Sequence, residues 1–396
     1  MEAEEPRGED ATADGTTSSP VAGHDVAATT LPGAPAPGTW GHLPADPFPT
    51  GFTGTAIWGG DRLYVWGFMP AIDRYHPAGP PAGASWDPVD DAWTMLPEVS
   101  DVDGSRPVWS GNELFLPGVE KAGAAYDPRE GTWRHLPPPP VRVRHEVVAW
   151  TGMELVVWGP VPGTEPGRSG PTMEGAAYDP ASDTWRMLPR SPLSGRTEIG
   201  WTWTGTEVVV WGGSEQRDRW TFVQLADGAA YNPATNRWRK LAPSPLSARS
   251  SRLVWTGREV LVLGGMVDAP EMGFDSLDDS AAYDPATDSW RKIATPGTEA
   301  VVLFIDPVWT GRGVIARGYA PGDYALRWVA YDPAAEVWRA LPPSPPARFF
   351  EGASLMWSGS ELLAWGPLWD CHLNCDQSVN VVGSIGLRFT PIDAGG

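Results

Sequence analysis

One unit, written seven times along 396 residues, constrains this chain more than any other feature. Each copy opens with a Trp, a short turn and an apolar strand: Trp58-Gly59-Gly60, Trp109-Ser110-Gly111, Trp150-Thr151-Gly152, Trp203-Thr204-Gly205, Trp255-Thr256-Gly257, Trp309-Thr310-Gly311 and Trp357-Ser358-Gly359. An aromatic-x-Pro pattern follows, beginning at Trp86, Tyr126, Tyr178, Tyr231, Tyr283, Tyr331 and Phe389. Seven residues after six of these stands a third mark, the Trp of a short W-x-x-[LI] strand: Trp93, Trp133, Trp185, Trp238, Trp290 and Trp338. Repeats of this kind describe stacked supersecondary units that share their core, not a string of independent domains.

The seventh copy breaks off where its neighbours continue. Seven residues beyond Phe389 the chain reads Gly396, while an unpartnered Gly38-Thr39-Trp40-Gly41-His42-Leu43-Pro44 stands before the first copy. The N-terminal strand is therefore expected to complete the last unit, joining the two ends and removing both sheet edges. Each copy reads as four strands. In the fourth, they are the run into Trp203, Glu207 to Trp211, Gly228 to Tyr231 and Trp238 to Leu241. Between the last two, Asn232-Pro233 makes a turn, with Pro fixing φ and the Asx side chain bonding the backbone. The expectation is all-β: a seven-bladed β-propeller of four-stranded antiparallel blades over 38–396, its last blade closed by the N-terminal strand. Residues 1–37 hold seven acids, one base and almost no large apolar side chain, so a disordered acidic tether is expected there.

Composition agrees. With 46 Gly and 43 Pro, a helix-rich fold is excluded. A net charge of −20 opposes nucleic-acid backbones and anionic membrane surfaces. No apolar run approaches the ~18 residues of a membrane span, so membrane insertion is not expected. Of 23 Trp, nineteen fall on repeat positions and read as blade packing, each aromatic burying about 150–250 Å². Trp201 and Trp328 begin strands and read as core, whereas Trp220 and Trp369 fall in long loops and read as contact surface.

The strand end Val208 to Gly213, the Tyr-Asp-Pro turn and the Trp seven residues later resemble the kelch repeat, of the superfamily that includes the galactose-oxidase propeller. The likeness covers essentially all of 38–391. Some copies depart from it: Pro117 and Arg317 occupy strand positions, and the Gly-Gly doublet is complete only at Gly212-Gly213 and Gly264-Gly265.

Spacing separates two faces. From the first Trp to the aromatic of each copy runs 28, 17, 28, 28, 28, 22 and 32 residues, while the other turns barely change length. The loops joining strands two to three and four to one share a face, so one face is variable, and function concentrates on such loops. It carries Arg219, Trp220, Trp369, Glu198 and Glu351. In kelch propellers, Arg at the start of the first strands lines a central pocket; the resemblance thus implies binding roles for Arg144, Arg196 and Arg249.

A radical copper site of the galactose-oxidase kind needs two His, two Tyr and a Cys cross-linked to Tyr. Here His76, His145 and His372 are scattered among copies one, three and seven, and the only cysteines are Cys371 and Cys375 in one loop. Neither metal nor other cofactor is expected. The cysteines read as a disulfide clamping that loop, or, with His372, as three zinc ligands without a fourth. A disulfide would imply an extracellular or cell-envelope protein; no signal peptide is visible, which leaves a cytoplasmic location as the alternative. No G-x-S-x-G elbow, P-loop or Rossmann fingerprint occurs. The leading expectation is a monomeric, non-catalytic binding propeller that presents its variable face to a glycan or a protein. The alternative is a sugar-acting enzyme with a site in the central cavity, since some kelch propellers isomerise sialic acids and Glu198 and Glu351 could supply a carboxylate pair.

Overall fold

A computed structural model describes residues 37–391 except 51, 70–78, 103–105, 119–120, 163–171, 218–220, 270–272, 297–300, 302, 320–325, 346–351 and 371–379. Seven antiparallel four-stranded sheets follow one another along the chain. Blade 1 spans 53–95, blade 2 108–135, blade 3 147–187, blade 4 200–240, blade 5 250–293 and blade 6 303–340. Blade 7 spans 354–391 and takes its outer strand from Gly38–His42. Strands are called a to d from the centre outward. In blade 4 they are Gly200–Trp203, Val208–Trp211, Gly228–Asn232 and Arg237–Lys240. The a strands of adjacent blades approach one another and surround the centre.

The ring closes as the orphan N-terminal segment requires. Gly38–His42 pairs antiparallel with the c strand of blade 7, Trp40 opposite Phe389 and His42 opposite Leu387.

No blade contains a core of its own. Strand b of blade 4 shows why: its alternate residues leave by opposite faces. Val208 and Val210 join a cluster with Val147, Val156 and Ala177 of blade 3. Val209 and Trp211 join another with Val260, Val262 and Ala281 of blade 5. Both faces are buried, so b strands read as unbroken apolar runs rather than alternations. The c strands carry small residues, Ala229 and Ala230 in blade 4, both fully buried, which let sheets approach. Seven clusters result, one per seam between blades.

The tryptophans divide by position. Those ending b strands (Trp66, Trp158, Trp211, Trp365) and Trp86 are fully buried. Those of the a–b turns and the d strands are half-buried, apart from the buried Trp338. Each d-strand indole instead reaches back to the preceding blade. The Nε1–H groups of Trp93, Trp133, Trp185 and Trp238 donate to the carbonyls of Pro44, Pro97, Pro137 and Pro189 at 2.8–3.1 Å. Trp290, Trp338 and Trp40 do the same to Ala242, Ala294 and Pro342. This girdle crosses all seven seams, including the one made by the closing strand. Trp328 is core as expected, and Trp201 is partly buried against the cluster between blades 3 and 4.

The uniform face consists of a–b and c–d turns. Thr204 Oγ1 accepts the Glu207 amide at 3.0 Å, with Gly205 at φ +87°. In the c–d turn Asp179 accepts the Ala181 amide at 2.9 Å and Asp183 takes φ +54°. On the opposite face, the b–c connections of blades 4, 5 and 7 contain paired strands. Blade 4 inserts a hairpin, Ser214–Gln216 with Phe222–Gln224. Blade 5 lengthens strand b to Val260–Ala269 and pairs its end with Gly273–Leu277. Blade 7 lengthens both partners, Leu362–Asp370 and Asn380–Pro391, with a bulge at Leu368/Trp369. Trp369 thus lies on an extended strand rather than in a loop, a correction due to hydrogen bonding that sequence spacing does not record.

Candidate functional site

Arg196 and Arg249 stand at equivalent points before the a strands of blades 4 and 5, each at the end of a Ser-Pro-Leu-Ser-x-Arg segment. Both side chains are only 1 % exposed. Arg249 Nε donates to the Ser247 carbonyl, and Nη1 to the Asp279 carbonyl at 3.1 Å and to Asp279 Oδ1 at 2.5 Å. Arg196 repeats the pattern with the Ser194 carbonyl and with Asp227 Oδ1 at 2.7 Å. Nη1 also reaches the Gly264 carbonyl from Arg249 and the Gly212 carbonyl from Arg196, at 3.3–3.4 Å. These guanidinium groups are clamps: they fasten the d–a connection to the b–c connection. Expected to face a pocket, they are instead taken up inside the protein.

The Gly-Gly doublet belongs to the same device. Gly212 and Gly213 take φ +70° and +92°. A Cβ on Gly212 would come within 2.5 Å of the Arg249 carbonyl oxygen, and Gly213 N–H donates to that oxygen at 3.0 Å. A side chain there would push the clamp apart.

Arg144 is the third member by sequence position, but its side chain is exposed. Its backbone is engaged in the blade, its N–H donating to the Pro160 carbonyl. Asp stands before the c strand of blades 4 and 5, whereas blade 3 has Glu174 there.

The starts of the a strands bring charges from neighbouring blades together at one mouth. Burial pushes the Glu146 carboxyl above its ordinary range and the nearby Glu198 charge adds to this, while Arg106 and the amides of Glu198 and Ile199 hold it down. Glu198 is exposed and takes φ +56°, a conformation uncommon for a residue with its side chain. It accepts the Ser250 hydroxyl at 3.0 Å, and Gln224 of the blade 4 hairpin lies 3.2 Å from the same hydroxyl. Further round, Asp306 takes φ +46° and sits 3.8 Å from Arg252 and 3.6 Å from the buried Arg317, which donates to the Ala353 carbonyl of blade 7. Non-glycine residues in this region cost about 1–3 kcal/mol unless the surroundings impose them, and they cluster at functional sites.

Of the other expected site residues, Arg219, Trp220 and Glu351 lie outside the described residues, as do Cys371, Cys375, His76 and His372. The Glu198–Glu351 separation and the disulfide expectation therefore stay as sequence readings. Sequence reasoning passed over Arg106, Gln224, Ser250 and Asp306, which only the ring brings together.

It also passed over a second arginine series, on the uniform face. Arg134, Arg186, Arg239 and Arg291, each following a d-strand Trp, form two-pronged pairs with Glu113, Glu154, Glu207 and Glu259 of their own a–b turns, at 2.5–3.0 Å. They then cross to the next blade. Arg134, Arg186 and Arg239 donate to the hydroxyls of Tyr178, Tyr231 and Tyr283 at 2.8–3.0 Å, and Arg291 donates to Glu336. Burial pushes the Tyr178 phenol up to about 12, so it remains a proton donor, bonded to Asp183 at 2.6 Å.

Sequence comparison reaches proteins named for the same repeat. "Kelch-like protein terF" of Aspergillus terreus is 26% identical over 188 residues, covering 44% of this chain and 41% of that protein. "Kelch-like protein 35" of Mus musculus is 24% identical over 210 residues, 43% of this chain and 35% of that one. The chain is a seven-bladed β-propeller, and with its blades traced these weak matches support reading the repeat as kelch-like. The matches span well under half the length of either relative, and no family profile matches the chain. Among solved structures, this kelch propeller superposes on "Novel fungal alcohol oxidase with catalytic diversity among the AA5 family, in complex with copper", with a TM-score of 0.60. That alignment covers 90% of this chain and 77% of the oxidase at 13% identity, a likeness of fold alone. Among the described residues of the kelch propeller, no three His, Cys, Asp or Glu gather into a set that could hold a metal ion. The described side chains do not offer a set that fits the copper of that oxidase.

Proposed function

We propose that this kelch propeller is a non-catalytic binding module whose variable face docks a protein partner. One observation carries the reading: the b–c connections of blades 4, 5 and 7 extend beyond the blades as paired strands, on the face where the charged mouth opens. Paired strands hold their shape better than loops, and the clamps of Arg196 and Arg249 fasten the roots of two of them. A rigid scaffold carrying projecting, chain-specific elements suits recognition. Phe222 on the blade 4 hairpin is 45% exposed, the kind of aromatic that anchors protein contacts.

A photo-crosslinking residue placed at Phe222, or at Val89 on the uniform face, tests the face in extracts of the source organism. A defined partner joined from position 222 and not from 89 is the expected result. Crosslinking from 89 alone would refute it. A glycan array signal that Arg252→Ala abolishes would move the reading from protein to sugar.

A further inference from the structure

The d strands of blades 1 to 6 are tethered at both ends, to their c strands by a short turn and to the next blade by the d–a connection. Gly38–His42, which closes blade 7, lacks the first tether, because its c strand lies at the other end of the sequence. The connection that follows it departs from its sisters at one residue. Six residues after their d-strand Trp, blades 3 and 4 place Ser191 and Ser244, each followed by Pro and Leu. Each serine hydroxyl accepts the amide two residues on, Leu193 at 3.2 Å and Leu246 at 3.1 Å. Six residues after Trp40 stands Asp46, followed by Pro47 and Phe48, and its Oδ1 accepts the Phe48 amide at 3.2 Å. The arginine that completes the segment as a clamp, Arg196 or Arg249, is replaced in the sequence by Gly51.

The aspartate caps its turn as the serines do and has a second oxygen left over. Oδ2 accepts the Trp365 indole Nε1–H at 2.8 Å and the Ser384 hydroxyl at 2.6 Å, from strands b and c of blade 7. The corresponding indoles of blades 1 and 4, Trp66 and Trp211, find no acceptor for Nε1 among the described residues. Beside the carboxylate, Phe48 stacks on Phe52 at 3.9 Å, and both rings stand edge-on to Trp365 at 5.9 and 6.4 Å. Trp365 is fully buried, so the contact lies inside the seam between blades 7 and 1, with Leu43, Leu63 and Leu363. We propose that Asp46 is a latch. It fastens the strap of residues 38–48 to blade 7 in place of the missing turn, and its release is the step by which the ring opens. Hydrogen bonds to an ionised carboxylate are stronger than neutral ones, so two of them weigh heavily on a strand tethered at one end. The strap and the c strand facing it then form one cooperative opening unit, separate from blades 2 to 6. The latch does not depend on the proposed protein interface.

Amide hydrogen exchange of the full chain, read by mass spectrometry, tests this. Asp46→Ser installs the residue of the sister blades: it keeps the cap on Phe48 and removes both bonds to blade 7. Exchange in 38–48 and 384–391 should quicken by about tenfold or more, while the strands of blade 4 keep their rates. Ser384→Ala removes one of the two bonds and should quicken the same segments by about threefold; it carries the test if Asp46→Ser fails to fold. On the Asp46→Ser background, Ser384→Ala should change nothing further, because the hydroxyl has already lost its acceptor. Rates in 38–48 within about twofold of the parent in both single variants, an equal rise in blade 4, or independent effects in the double variant would overturn the latch.

Discussion

Two stretches of the ring are built to the same packing plan but joined differently. From blade 2 to blade 6, each seam is crossed by an arginine that holds a glutamate of its own blade and reaches a side chain of the next. From blade 6 through the closing blade to blade 2, the same position holds Arg339, with no side-chain partner among the described residues, Gly41, and Thr94. What the two stretches share is the apolar cluster at each seam and the indole bond to the preceding blade. Packing and the indole girdle are thus the constant of the ring, and the charged links are an addition to one side of it. Exposed or half-exposed ion pairs contribute little, about 0–1 kcal/mol each, so the closing side can omit them without opening.

The largest effect is expected where the constant is attacked. Trp238→Ala removes an indole packed 5.3 Å from Trp158 and its bond to Pro189, and should cost about 3–5 kcal/mol in chemical denaturation. An unchanged midpoint would show that the girdle is not what the two stretches have in common. Next comes the clamp. Arg249→Met leaves the Asp279 carboxylate and three backbone carbonyls without their donor, with an expected loss of about 2–4 kcal/mol, below the range for a fully buried pair because Asp279 is partly exposed. Arg239→Gln probes the linked stretch and should cost about 1 kcal/mol, while Arg339→Gln in the unlinked stretch should stay within about 0.5 kcal/mol of the parent. Equal losses would erase the distinction between the two stretches.

The smallest effect lies at the mouth of the variable face. Glu146 has a raised pKa, so the folded protein holds its proton more tightly than the unfolded chain does. Its contribution is fully present below the unfolded value and is lost as pH rises through the folded one. Glu146→Gln should remove that part of the slope, leaving thermal midpoints less dependent on pH just above the ordinary carboxylate range. An unaltered slope would mean that Glu146 is as solvated as a surface acid.

The fold was legible because its marks are local. Trp203-Thr204-Gly205, Tyr231-Asn232-Pro233 and Trp238 each specify a turn or strand within a few residues, and seven copies make the pattern unmistakable. Closure was legible for a negative reason: Gly396 stands where a Trp belongs, and Trp40 stands alone. The site was less so. Arg196 and Arg249 looked like pocket residues because the sequence shows a charge near a loop but not the Asp that neutralises it, 31 and 30 residues later. A signal existed, since Asp227 and Asp279 both stand directly before a c strand. The uniform-face links were also written in the copies: wherever a d-strand Trp is followed by Arg in blades 2 to 5, the a–b turn ends in Glu. The hairpin around Ser214–Gln216 lacked any such mark, because pairing within a short polar insertion depends on the blade beneath it.

The placing of every core between blades has a consequence for the order in which the sequence is written. Since alternate residues of each b strand serve the two flanking seams, no blade is complete before its neighbours, and none has priority over the others. The chain break between strands c and d of blade 7 is bridged by the same ladder of hydrogen bonds that a continuous turn leads into elsewhere. Circular permutation that moved this break to the corresponding turn of another blade would preserve every seam. The point at which the sequence starts is then a choice of register on a ring, not a property of the fold.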